Sequence, residues 1–139
     1  MILRIVTPTA IVVDEHDVSA LRAEDDSGGF GVLERHADLF TVLSISILQW
    51  QNRAGDRHFC ALRRGLLTVR GGCDVMVATR EAVLSDDSEA LENVVLARFR
   101  ETAERERSAR VESAAMQMAA VKRMIRHLRP EIAAGVGGP

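Results

Sequence analysis

The chain has 139 residues, 47% of them hydrophobic, enough for one compact domain with an appendage. A formal net charge of −2 offers no basic surplus for a phosphate backbone, and 4% aromatics without tyrosine offer no stacking platform for single strands. No apolar run approaches the ~20 residues of a membrane-spanning helix.

The N-terminus, MILRIVTPTAIVVD, has neither a basic start nor a small-residue cleavage site. It reads as strand and not as a signal peptide, so the protein is expected in the cytoplasm. ILRIV (2–6) ends at Pro8 and AIVVD (10–14) follows. DVSALRAED (17–25) would place Val18 and Ala20 on one strand face and Leu21 and Ala23 on the other. SISILQW (44–50) puts Ile45 and Ile47 on one face, QNRAGD (51–56) reads as a hairpin loop, and HFCAL (58–62) as the return strand. GLLTV (65–69), the turn RGG (70–72) and DVMVAT (74–79) repeat the pattern. Short strands at regular spacing favour a β-sandwich or barrel.

Near Ser85 the period becomes helical. Asp86 and Glu89 have capping-box spacing, and Leu91, Val95, Phe99 and Ala103 recur every four residues, with Val94 beside them. A second stripe joins Val111, Ala115, Met118, Val121, Ile125 and Leu128 before Pro130. No Gly or Pro interrupts ERERSARVES (104–113), which leaves one long helix open, but the stripes are out of register, which places a turn around Ser108 and lets an antiparallel pair bury each stripe on the other. The expected fold is α+β: an N-terminal antiparallel β-sandwich over residues 1–84, a C-terminal antiparallel α-helical hairpin over 85–130, and a flexible tail over 131–139.

Motifs for chemistry fail one by one. GGFG (28–31) lacks the lysine and the following helix of a phosphate loop, and no βαβ unit surrounds it, so these glycines read as turn or close-approach residues. His36 stands in ERHAD without further donors; His16, His58 and His127 lie on separate elements, so no metal site and no catalytic histidine are expected. Cys60 and Cys73 read as two reduced thiols acting as small hydrophobes. Lys122, Arg123, Arg126 and Arg129 cluster late in the second helix. Two explanations stay open for them: complementing the helix dipole, or meeting an acidic protein partner.

SGGFGVLERHADLFTVLSI (27–45) then acquires a meaning. Gly28, Gly31, Val32, His36, Leu39, Thr41 and Val42 follow the order of a Gly-x-x-Gly-Ile/Val segment, a histidine and an apolar strand. LRRGLLTVRGGCDVMVAT (62–79) matches a Gly-Gly-x-Leu-Glu-Val segment and its following strand, with Arg64 in place of the first glycine. In both respects, over residues 3–129, the chain resembles the epsilon subunit family of F-type ATP synthase.

The resemblance implies a central-stalk subunit with no active site, no cofactor and no metal. It implies that Gly31, Val32, His36, Leu39, Thr41 and Gly65 shape a contact surface for the gamma subunit and the c-ring. The hairpin, carrying Lys122, Arg123 and Arg126, would restrain ATP hydrolysis and reach the beta subunit of the catalytic head when extended. The implied place is the cytoplasmic face of the membrane, peripheral, within the complex. Two departures mark a divergent branch. Glu34-Arg35 replaces a Pro-Gly before the histidine, and SDDSEA (85–90) puts glutamate where nucleotide-binding members carry arginine, so ATP binding is expected to be weak or absent. The alternatives are a non-enzymatic adaptor binding another protein through its hairpin, and a small hydrolase using His36.

Overall fold

The computed structural model describes residues 1–136, with side chains through His127. Eight strands come first: β1 (Ile2–Val6), β2 (Ile11–Glu15), β3 (Val18–Asp25), β4 (Gly28–Leu33), β5 (Leu39–Asn52), β6 (Arg57–Arg70), β7 (Asp74–Thr79) and β8 (Ala82–Ser85). The hydrogen-bonded order is β2-β1-β7-β6-β5-β3-β4, with β8 paired to β6. All pairings are antiparallel except β1 with β7.

The sequence separates HFCAL from GLLTV, but both lie in the 14-residue strand β6. Its residues Phe59–Leu62 pair with β8 and Gly65–Arg70 pair with β7. The strand changes partners at a bend where Arg64 takes a left-handed φ of 62°. Thus β5 and β6 serve both layers of the sandwich. The core between the layers follows the strand alternation: Leu3 and Ile5, Leu43, Leu48 and Trp50, Leu67 and Val69, Val75 and Val77 are buried.

A second apolar cluster lies on the other face of the β5–β6 pair. Ile45, Ile47, Phe59, Ala61 and Val83 there meet Leu91, Val95, Leu96 and Phe99 of the helical run. That run begins with an α-turn, α1 (Ser88–Ala90), passes through a π segment (Leu91–Leu96), and continues as α2 (Ala97–Val136). The cap is Asp87 and not Asp86: its Oδ1 accepts the Glu89 and Ala90 amides at 3.0 and 3.3 Å. Asp86 instead lies 3.4 Å from His58 Nδ1.

The sandwich stands as the sequence predicts; the hairpin does not. α2 is one helix of 40 residues with no turn at Ser108. Residues 104–113 contain neither glycine nor proline and are rich in Glu and Arg, so nothing local opposes continuation. The Glu101–Arg105 ion pair adds support at i,i+4 spacing. The helix also passes Pro130, which forfeits one backbone bond but is followed by good helix formers. Residues 131–136, expected in the tail, are therefore helical. Residues 137–139 and the side chains of Leu128 and Arg129 lie outside the described residues.

The chain divides into two compact units, Met1–Arg100 and Glu101–Pro139. The first unit keeps the start of the helical run because Leu91, Leu96 and Phe99 are seated on the sheet.

Candidate docking surface

The loop 34–38 joins β4 to β5 at one end of the sandwich. Three backbone features fix its shape. Arg35 takes φ 66°, its amide donates to Gly72 O at 2.8 Å, and Asp38 Oδ1 accepts the Gly71 amide at 2.9 Å. The approach is so close that a side chain at Gly72 would place its Cβ 2.7 Å from Arg35 Cα. His36 therefore sits on a loop pinned to the 71–72 turn. Its Nδ1 is 2.7 Å from Ala37 O. A carbonyl can only accept, so this contact requires a proton on Nδ1.

Neighbouring carboxylates are already engaged. Glu34 Oε1 accepts from the Met1 amine at 3.1 Å and from Arg53 Nη2 at 3.0 Å, and these partners, the amine first, hold its carboxyl below the ordinary range. Asp25 accepts Ser27 and Thr41 hydroxyls, which lower it likewise. Neither carboxylate contacts His36, so the loop assembles no nucleophile, base and orienting acid. Among the described residues no group of three His, Cys, Asp or Glu could hold a metal. Cys60 is buried, which pushes its thiol up to about 12, and Cys73 is exposed; both are free.

Next to the loop lies an exposed apolar face. Register places Phe40 opposite Thr68, Val42 opposite Leu66, Leu66 opposite Ala78 and Thr68 opposite Met76. Paired residues point to the same side, so Phe40, Val42, Leu66 and Met76 form one surface across three strands. They are 67%, 50%, 43% and 43% exposed, unusual for four large apolar side chains together. Leu33, at the end of β4 where the loop begins, is also exposed, at 63%.

The expected contact residues fall into two groups. Gly31 is exposed and His36 partly so. Val32 is fully buried, Leu39 packs against the core, and Thr41 donates to Asp25 at 2.8 Å. These three can shape the surface only from beneath. Gly65 is required by its neighbour, since a Cβ there would lie 2.7 Å from Ala78 O. Phe40, Leu66 and Met76 are the side chains that sequence reading missed. The signal for Phe40 was present: on a strand, if Leu39 and Thr41 point in, Phe40 and Val42 point out.

In the second unit, Lys122, Arg123 and Arg126 are exposed on α2. Val111, Met116, Met118, Val121, Met124 and Ile125 on the same helix are also exposed. No helix among the described residues is long and apolar enough to cross a membrane.

The model of the ATP synthase delta/epsilon chain beta-sandwich domain matches residues 1–85. ATP synthase epsilon chain 2 of Paraburkholderia xenovorans is 41% identical over 128 residues, 92% of each chain. Epsilon chain 2 of Cereibacter sphaeroides is 40% identical over 126 residues, 91% of this chain and 86% of its own. Among solved structures, a chain of the Euglena gracilis mitochondrial ATP synthase OSCP/F1/c-ring assembly superposes with a TM-score of 0.60 at 22% identity. That alignment covers 78% of this chain and 64% of the Euglena chain, just under two thirds of its length. At such identity the likeness is one of fold.

Proposed function

Because this chain belongs to the delta/epsilon chain family of ATP synthase, we propose that it is the central-stalk subunit that couples the gamma subunit and c-ring. The apolar face of Phe40, Val42, Leu66 and Met76 carries the reading. A surface that keeps four large apolar side chains in water is stabilised by covering it, and a rotor shaft is a permanent cover. The pinned loop around His36 would set the edge of that contact. In this role the chain performs no chemistry of its own and sits peripherally on the cytoplasmic side of the membrane, inside the complex. The Euglena neighbour belongs to an assembly that contains F1 and the c-ring, which agrees with this place.

The C-terminal helix supplies the second half of the reading: restraint of ATP hydrolysis. Exposed Lys122, Arg123 and Arg126 would meet acidic groups of the beta subunit, with exposed apolar side chains such as Val121 and Ile125 alongside. ATP binding at 85–90 is expected to stay weak, since Glu89 brings negative charge to the position and Asp87 is occupied as a cap.

Co-expression with its own gamma subunit and c-ring tests the docking. The parent chain should co-purify with both, and the Phe40→Asp, Leu66→Asp double variant should lose the association while keeping its thermal transition. A parent that never associates ends the rotor reading; a double variant that binds like the parent removes the apolar face from it.

A further inference from the structure

A groove of about 430 Å³ opens on the sheet where β3, β5 and β6 run side by side, lined by Ala20, Arg22, Gln49, Trp50, Gln51 and Arg57. Register explains the lining. Arg22 lies opposite Gln49, Ala20 opposite Gln51, and Gln51 opposite Arg57. These side chains share one face, with the glutamines on the central strand and one arginine on each flank. The same face of β5 carries Ile45 and Ile47, which the helical run covers; the groove is its polar continuation.

The charges in this groove are unbalanced. Of the sandwich arginines, Arg4 pairs with Asp14, Arg53 with Asp17 and Glu34, and Arg63 with Glu81. The exposed side chains of Arg22 and Arg57 have neither an ion pair nor a hydrogen bond among the described residues. No carboxylate lines the groove; Glu24, two positions beyond Arg22, is not part of it. Two guanidinium forks and two amides, all able to donate, face a cavity with no acidic acceptor.

We propose that this groove binds a small oxyanion of the diphosphate type, bridged between Arg22 and Arg57 and oriented by the amides of Gln49 and Gln51. Neighbouring strands lie ~4.8 Å apart, so the two arginine columns stand about 10 Å apart across β5. Side chains of their length can converge on two linked oxyanion groups, each taking a bidentate contact. The ligand could be a free diphosphate or the diphosphate end of a nucleotide. The lining favours the first. Trp50 turns its indole inward, donating to Glu15 at 3.0 Å, and the wall therefore offers a base no aromatic side chain to stack on.

The test is a titration of the full chain at constant ionic strength, following arginine Nε–H and glutamine side-chain resonances. Inorganic pyrophosphate should shift Arg22, Arg57, Gln49 and Gln51 together to saturation, and orthophosphate should bind more weakly. Each of Arg22→Gln and Arg57→Gln should weaken pyrophosphate about tenfold, as expected for a lost charge-assisted contact. The double variant should abolish saturation, whereas Arg4→Gln should change nothing. Adenosine diphosphate should bind no tighter than pyrophosphate. Shifts that never saturate, that survive the double variant, or that Arg4→Gln reduces equally would overturn the site. Adenosine diphosphate binding about tenfold tighter would overturn its assignment to a bare anion. None of these readouts depends on rotor assembly, so the outcome is separate from the docking test.

Discussion

An L-residue held near φ +60° gives up roughly 1–2 kcal/mol, because its Cβ crowds the neighbouring carbonyl. Arg35 and Arg64 both pay this, at φ 66° and 62°. They are the two positions at which the resemblance puts glycine, so the glycine-shaped backbone is kept without the glycine. The sequence flagged both as departures, but a residue name does not report φ, and the loop shape was illegible there. Arg64→Gly should stabilise the protein by up to about 1 kcal/mol in urea unfolding, some of the relief being offset by the freer unfolded chain. Gly65→Ala next to it should cost about 1–3 kcal/mol, since the new Cβ would press on a backbone oxygen. Equal effects from the two substitutions would refute the distinction between strain and close approach.

Asp25 offers a pH-dependent test at the same scale. Its hydrogen bonds, from Ser27 first and then Thr41, stabilise the carboxylate and hold it below its ordinary value of 3.8. A depressed carboxyl contributes stability that is complete above the unfolded value and is lost as pH falls through the lower folded value. Parent and Thr41→Val should therefore differ by a constant stability at neutral pH, and the gap should close on acidification below 3.8. A gap that widens in acid would contradict the assignment.

At the scale of elements, the π segment explains why the first helical stripe was only half legible. A period of four picks Leu91, Val95, Phe99 and Ala103, with Val94 at the side. Leu91 and Leu96 would stand about 140° apart in a regular α-helix. The wider turn of Leu91–Leu96 brings both onto the sheet with Phe99, leaving Val94 66% exposed. Burying one more leucine decides the geometry. Leu96→Ala should cost about 2–5 kcal/mol. Deleting Val94 would put Leu96 four residues after Leu91 and let an ordinary helix bury the same face, so it should change stability by less than about 1 kcal/mol. A deletion as damaging as Leu96→Ala would show that the extra residue itself is needed. The missing hairpin has the opposite origin: the turn at Ser108 was inferred from exposed stripes and not from any helix-stopping residue.

For the whole molecule, the strand periods made the sandwich readable, because alternation at 45–50 and 74–79 records which side is buried. The candidate docking surface was less so, since its members on β5, β6 and β7 come together only through register. The helix beyond Arg100 exposes most of its apolar side chains among the described residues, so its backbone bonds rest on little packing. Hydrogen exchange should find the amides of Glu101–His127 opening far more readily than those of Ser44–Trp50. Comparable protection in both would mean that something not seen in the chain alone holds the helix.

The strands β5 and β6 run from Phe40, Val42 and Leu66 at one end to Ile45, Ile47 and Phe59 beneath the helical run. No seam separates the apolar face from the seat of the helical run: one unbroken ribbon of backbone joins them. If that face grips a rotor as proposed, a torque delivered there would reach the seat through covalent bonds and ladder hydrogen bonds, without any sliding joint to absorb it.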